Sequence, residues 1–275
     1  MSQLREACEE AGTVLVEDEF LDRENVNLVE EPQVITGSFD EAFLALPEDV
    51  ILAVAKGHQR YFCARREDGE LAPMYLAVAG TALKPDMVRR GNDRVMRARL
   101  SDARFFFEED MKVRLDSRFE RLGGIVFQKR LGSVRDKVER MERLVVRLGR
   151  SLGLSEDRIE TAQRGAHLCK CDLASLMVGE FPELQGEMGA VYALGQGETE
   201  AVARVISKHY QPKGASDATA DDDPAALVAL ADRFDTLVGC FSVGLSPTGA
   251  ADPFALRRAC LGVLRTALDR GFALS

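Results

Sequence analysis

The chain has 275 residues, 46% hydrophobic and 29% charged, with a formal net charge of -9. That length and apolar content supply one large or two modest folded cores. No apolar run approaches the roughly 20 residues that cross a bilayer, and the start MSQLREACEEAG has no basic stretch followed by an apolar one. Neither a membrane span nor a secretory signal is expected, and the expected location is the cytoplasm.

Residues 1–31 hold ten Asp and Glu against Arg5 and Arg23 and read as an acidic helical segment. A small α+β region is expected over 32–115. Gln33 to Thr36, after Glu31-Pro32, reads as its first strand, and Ser38 to Lys56 as one or two helices with Pro47 in a first turn. Tyr61 to Ala64 and Met74 to Ala79 flank Asp68-Gly69, a dipeptide that favours positive φ, so they predict a β-hairpin. Just before it, the run Lys56 to Phe62 mixes donors with aromatics. Its His58, Gln59 and Arg60 either contact RNA or satisfy the end of the preceding helix.

A helix is predicted from Asp86 to Asp110, with Val95, Leu100 and Ala103 facing inward and Arg89, Arg90, Arg94, Arg97, Arg99 and Arg104 on the other sides. Gly91-Asn92 is expected to break it and cap a second helix, unless Asn92 contacts a base or ribose. Phe105, Phe106 and Phe107 are expected to end it as core residues rather than as a platform for bases. Residues 84–150 carry 19 Lys and Arg against 11 Asp and Glu, net +8, in a chain otherwise acidic. Such a region is either a polyanion-binding stripe or a solvated surface laced with ion pairs one helical turn apart.

Residues 116–275 read as all-helical. Breaks are expected at Gly123-Gly124, Gly153, Phe181-Pro182, Gly195 to Gly197, Gln211 to Pro224 and Val243 to Pro253, with Asp252 as N-cap and Pro253 at the first position of the last helix. The six cysteines are scattered in apolar stretches, and Cys169-x-Cys171 has neither redox nor zinc-site spacing, so they read as small core residues. No P-loop, no Gly-x-Gly-x-x-Gly after a strand and no ATP motif is present.

The segments LPEDVILAVAKGHQRYF, RRGNDRVMRARLSDARFFFEED, VFQKRLGSVRDKVERMERL, LCKCDLASLMVGEFPELQGEMGAVYA, ALADRFDTLVGCFSVG and PTGAADPFALRRA occur in one order. Together they resemble the β subunit of the bacterial two-subunit glycyl-tRNA synthetase. The resemblance implies the central part of a longer chain, in which a small α+β region precedes an all-α domain of the HD type. It further implies an α2β2 heterotetramer in which the α subunit, with ATP and magnesium, forms glycyl-adenylate while the β subunit grips glycine tRNA.

Working HD domains hold a metal with a His, a His-Asp pair and a later Asp. The resemblance places Ser133 to Asp136 at the first ligand, Lys170-Cys171 at the pair and Asp232 at the last, so only Asp232 keeps a ligand side chain. The expectation is a helical scaffold with no catalytic residue, no metal and no cofactor of its own. A register shift would offer Asp172 instead, and His167 reads as a packed or surface histidine. Lys170, Arg257 and Arg258 either contact RNA phosphate or form ion pairs, Lys170 with Asp172 or Asp232 and the arginines with neighbours such as Asp252. A metal-dependent phosphohydrolase and a pure subunit-docking module are the alternatives.

Overall fold

A computed structural model describes residues 1–57, 59–80, 82–249 and 251–273. Its architecture is the α+β, predominantly helical class expected, and the chain divides into two units, Met1–Glu109 and Asp110–Ser275.

The first unit is built on an antiparallel sheet of order β1-β3-β4-β2, with β1 at Val14–Leu15, β2 at Gln33–Ser38, β3 at Phe62–Arg65 and β4 at Leu71–Ala79. β3 and β4 are the hairpin signalled by Asp68-Gly69, and Gly69 takes a φ of +90° that other residues rarely adopt. Side chains alternate across the sheet. Phe62, Ala64, Met74 and Leu76 meet Leu4 and Cys8 of α1 (Ser2–Glu10) and Leu21 of α2 (Glu19–Leu28) in one apolar cluster. Residues 1–31 are therefore part of this unit's core, and the second unit begins at Asp110, ahead of the expected 116. The short β1 left no alternation to read.

A 3-10 turn at Glu41–Ala45 and α3 (Glu48–Gly57) occupy the predicted helical stretch. Cys63 and Tyr75 pair across the hairpin with their side chains on the sheet face opposite Phe62. The Tyr75 ring stacks on Tyr61 with centroids 4.6 Å apart, and its hydroxyl donates to Asp93 Oδ1 of α4 (Pro85–Met111) at 2.8 Å. The Ser38 N–H donates to the same oxygen at 3.2 Å. Met96, Leu100 and Ala103 of α4 are fully buried.

α4 runs unbroken through Gly91-Asn92, against expectation. Gly91 lies on the solvent side, and its cost of about 1 kcal/mol in a helix is smaller than what the buried stripe and the Asp93 bonds contribute. Two further expectations are corrected. Val95 is exposed and Met96 takes the inward position, while Phe105 is 55% exposed because the helix continues past it to Met111.

The second unit opens with a 3-10 run, Asp116–Gly124, and a small hairpin, β5 (Val126–Gln128) with β6 (Gly132–Ser133), too short for sequence alternation to reveal. Among the described residues seven α-helices follow: α5 (Val134–Ser151), α6 (Glu156–Leu168), α7 (Leu176–Glu180), α8 (Glu187–Gly195), α9 (Glu200–Lys208), α10 (Asp223–Ser242) and α11 (Leu256–Arg270). Every residue of α10 from Ala225 to Ala231 is fully buried. A segment apolar all round suits a helix enclosed by others, here α5, α6, α9 and α11.

Asp252 does cap α11, accepting from Leu256 N at 2.8 Å and Arg257 N at 3.0 Å, but Pro253 lies ahead of the helix. The left-handed Ala255, φ +52°, sets the start at Leu256. Five of the six cysteines are buried and all are free. No helix among the described residues is long and apolar enough to cross a membrane.

Candidate functional site

In the second unit the one ligand side chain that the resemblance leaves in place, Asp232, is enclosed by cations. Lys170, 5% exposed, directs Nζ to Asp232 Oδ2 at 2.8 Å, and Lys137, 4% exposed, directs Nζ to Asp232 Oδ1 at 2.7 Å. Each carboxylate oxygen thus receives one ammonium. Lys137 also donates to Thr236 Oγ1 at 2.7 Å and lies 3.3 Å from Asp235 Oδ2, while Asp235 is held from the other side by Arg140. Burial alone would push Asp232 up, but the Lys137 and Lys170 charges outweigh it and hold the carboxyl well below the usual range.

Lys170 donates to His209 Nε2 at 2.9 Å and lies 3.7 Å from the centroid of the Tyr210 ring. His209 Nδ1 is 2.6 Å from the Ile206 carbonyl, so the neutral tautomer with its proton on Nδ1 satisfies both contacts. Burial and the Lys170 charge hold His209 well below the ordinary imidazole value. A divalent cation placed on Asp232 would lie against two ammonium groups, and no imidazole there is free to ligate it. The residues do not fit the metal, and the hydrolytic alternative loses its centre.

Lys170 is correspondingly withdrawn from the candidate RNA contacts: it is a buried partner of Asp232. Asp172 does not replace a ligand either. Its carboxylate turns to the start of α8, accepting from Gly186 N at 2.6 Å and Gly189 N at 3.1 Å, and burial pushes its pKa up to about 6. Burial also raises the Cys169 thiol to about 12, leaving it a core residue. Of the cluster only Lys170 and Asp232 were read in the sequence, and Lys137 and His209, which bracket them, escaped it. Lys137 was legible, because it falls between Val134 and Met141 on the stripe that α5 buries.

A cleft of about 750 Å³ opens above Asp232, His209 and Tyr210. Arg258 lies on its lip, exposed, while Arg257 is exposed beside it on α11. Arg233 also lines the cleft but is spent on structure, donating to the carbonyls of Ala229, Tyr210 and Pro212 at 2.9 Å each. His167 is half-buried and clamped, Nδ1 to Glu142 at 2.8 Å and Nε2 to Asp116 at 2.9 Å, with its ring stacked on Phe119.

In the first unit, α4 gathers the arginines. Arg90, Arg94 and Arg97 are all exposed and stand at i, i+4 and i+7, one side of the helix. Their span is about 10 Å at 1.5 Å per residue. Arg94 and Arg97 side chains have no partner among the described residues, and Arg90 reaches only the Asp86 carbonyl, 3.2 Å away. Arg89 is exposed but directed to Asp86, and Arg99 lies half-buried on another side. Asn92 is a half-buried residue within the continuous helix. Of the six arginines on the predicted helix, Arg94 joins Arg90 and Arg97 on this side, as the sequence spacing marks.

His58 lies outside the described residues. Gln59 is partly exposed, whereas Arg60 caps α3: at φ +55° it returns its guanidinium to the carbonyls of Lys56 and Gly57, and it pairs with Glu24 at 3.4 Å. For Arg60 the helix-end reading is the one observed.

The family model described as "Glycyl-tRNA synthetase beta subunit" matches residues 1–275. Glycine-tRNA ligase beta subunits of Myxococcus xanthus and Trichlorobacter lovleyi are 48% identical over 276 aligned residues and 49% identical over 265. These alignments cover 100% and 96% of this chain but 39% and 38% of those relatives. The corresponding protein of Halalkalibacterium halodurans is 43% identical over 97% of the chain. The chain thus spans about two fifths of the length of the relatives it matches. Since one family model covers it from end to end, the chain belongs to the glycyl-tRNA synthetase beta subunit family.

Proposed function

We propose that this chain contributes tRNA binding and subunit scaffolding to an ATP-dependent glycine-tRNA ligase in the cytoplasm, as part of a β subunit that works with an α subunit in an α2β2 assembly. ATP and magnesium act at the α subunit, and the chain brings no catalytic group of its own. The observation that carries the reading is the exposed Arg90, Arg94 and Arg97 face of α4, beside family membership. Guanidinium groups with no protein partner gain most from phosphate, because each neutralised phosphate releases a counterion. Arg258, at the cleft lip of the second unit, is the second candidate phosphate contact.

The reading is tested by ultraviolet crosslinking of the full-length β subunit, with its α subunit, to glycine tRNA. Crosslinked peptides from Pro85–Met111 are expected. A crosslink map that omits α4 entirely contradicts the proposal.

A further inference from the structure

Within the second unit a groove of about 560 Å³ runs between α5 and α10. One wall is cationic: Arg143 and Arg147 stand one turn apart on α5, both exposed, with Arg130 beside them at the β5–β6 turn. None of the three side chains has an ion-pair or hydrogen-bond partner among the described residues. The other wall is apolar. Phe234 and Val238 line it one turn apart on α10, and Phe241 follows at i+7 just beyond the lining; Val238 and Phe241 are 66% and 53% exposed. The floor is closed and rigid, because Arg140 is fixed between Asp235 and the Leu131 carbonyl.

We propose that this groove docks an amphipathic helix of a partner protein, whose apolar stripe covers Val238 and Phe241 and whose acidic flank pairs with Arg143 and Arg147. Residues Arg143 and Arg147 are about 6 Å apart along the α5 axis, the rise between Glu residues four apart on a partner helix. The i, i+4, i+7 apolar rhythm of α10 is what one helix offers another. A nucleic-acid strand fits less well, since its solvated phosphates would be set against Val238 and Phe241. Two large apolar side chains more than half exposed beside three unpaired cations suit an acidic, amphipathic protein segment.

The inference stands apart from tRNA binding by α4, and its test separates the two. A fluorescein-labelled synthetic helix of about 18 residues, with leucines at i, i+3, i+4 and i+7 and glutamates on the flanks, is titrated with the chain and followed by anisotropy. A second probe carries lysines in place of the glutamates, and a third is a single-stranded RNA oligonucleotide. The acidic peptide is expected to bind at least about tenfold tighter than the basic one. It should lose at least about tenfold on Val238→Asp, likewise on Phe241→Ser, and likewise on Arg143→Glu with Arg147→Glu. Arg90→Glu with Arg94→Glu and Arg97→Glu should leave it unchanged. No binding of the acidic peptide, or binding indifferent to both apolar variants, overturns the proposal. So does RNA binding that falls with the Arg143 and Arg147 reversal while Val238→Asp has no effect, which would make the groove a phosphate surface.

Discussion

At the scale of single residues, the centre of the second unit is decided by charge. Asp232 keeps a carboxylate where a metal ligand would stand, but Lys137 and Lys170 each take one of its oxygens. Removing one partner of a buried pair leaves a charge without compensation, which costs about 3–5 kcal/mol. Lys170→Ala should therefore lower unfolding free energy by about 3 kcal/mol, the lower end because Lys137 remains. Urea unfolding checks this, and a loss under about 1 kcal/mol would mean that the pair holds little. His167 gives the opposite pH sign from a paired carboxylate. Glu142 first, against the opposing pull of burial, and then Asp116 raise its folded pKa above the ordinary value. Its contribution is full below the unfolded pKa of about 6.5 and is lost as pH rises through the folded value. The stability difference between wild type and His167→Gln, followed from about pH 6 to about pH 9, should shrink with rising pH. A constant difference would show that the imidazolium is not what Glu142 and Asp116 hold.

At the scale of elements, a contact with the sheet fixes α4 within the first unit. Its Asp93 is bonded to Tyr75, whose ring crosses the sheet so closely to β2 that a Cβ at Gly37 would fall 2.1 Å from it. Gly37→Ala should cost about 1–3 kcal/mol through overpacking. A double-mutant cycle with Tyr75→Ala should show strong coupling, whereas additive effects would place the strain elsewhere. Within the second unit, the buried Asp110 carboxylate accepts from Arg118, the Tyr192 hydroxyl and the Leu176 and Met177 N–H groups that start α7. Asp110→Ala would strand the buried Arg118, with an expected loss of at least about 3 kcal/mol by urea unfolding. Helices with strong apolar periodicity were legible, as was the hairpin at Asp68-Gly69. The continuity of α4 was not, because it rests on Asp93 and Met96 meeting partners distant in sequence. The burial of Lys170 was one of two open readings, and only the approach of α10 and α9 to the end of α6 decides it.

At the scale of the whole molecule, an acidic chain carries a net positive balance over residues 84–150. That distribution was legible in composition, but its division was not. On α4, Arg90, Arg94 and Arg97 form one open face, while on α5 Lys137 and Arg140 are consumed by Asp232 and Asp235 and only Arg143 and Arg147 remain free. Sequence counts charges; folding spends some of them on carboxylates in the core. The most direct test of the account is the salt dependence of glycine tRNA binding by the complete α and β assembly, wild type against Arg90→Glu with Arg94→Glu and Arg97→Glu. Each lost phosphate contact should reduce the slope of log K against log salt by about 0.7–0.9, so the triple variant should bind more weakly with a slope shallower by about 2. Equal affinity and equal slope would contradict the assignment of α4 to tRNA.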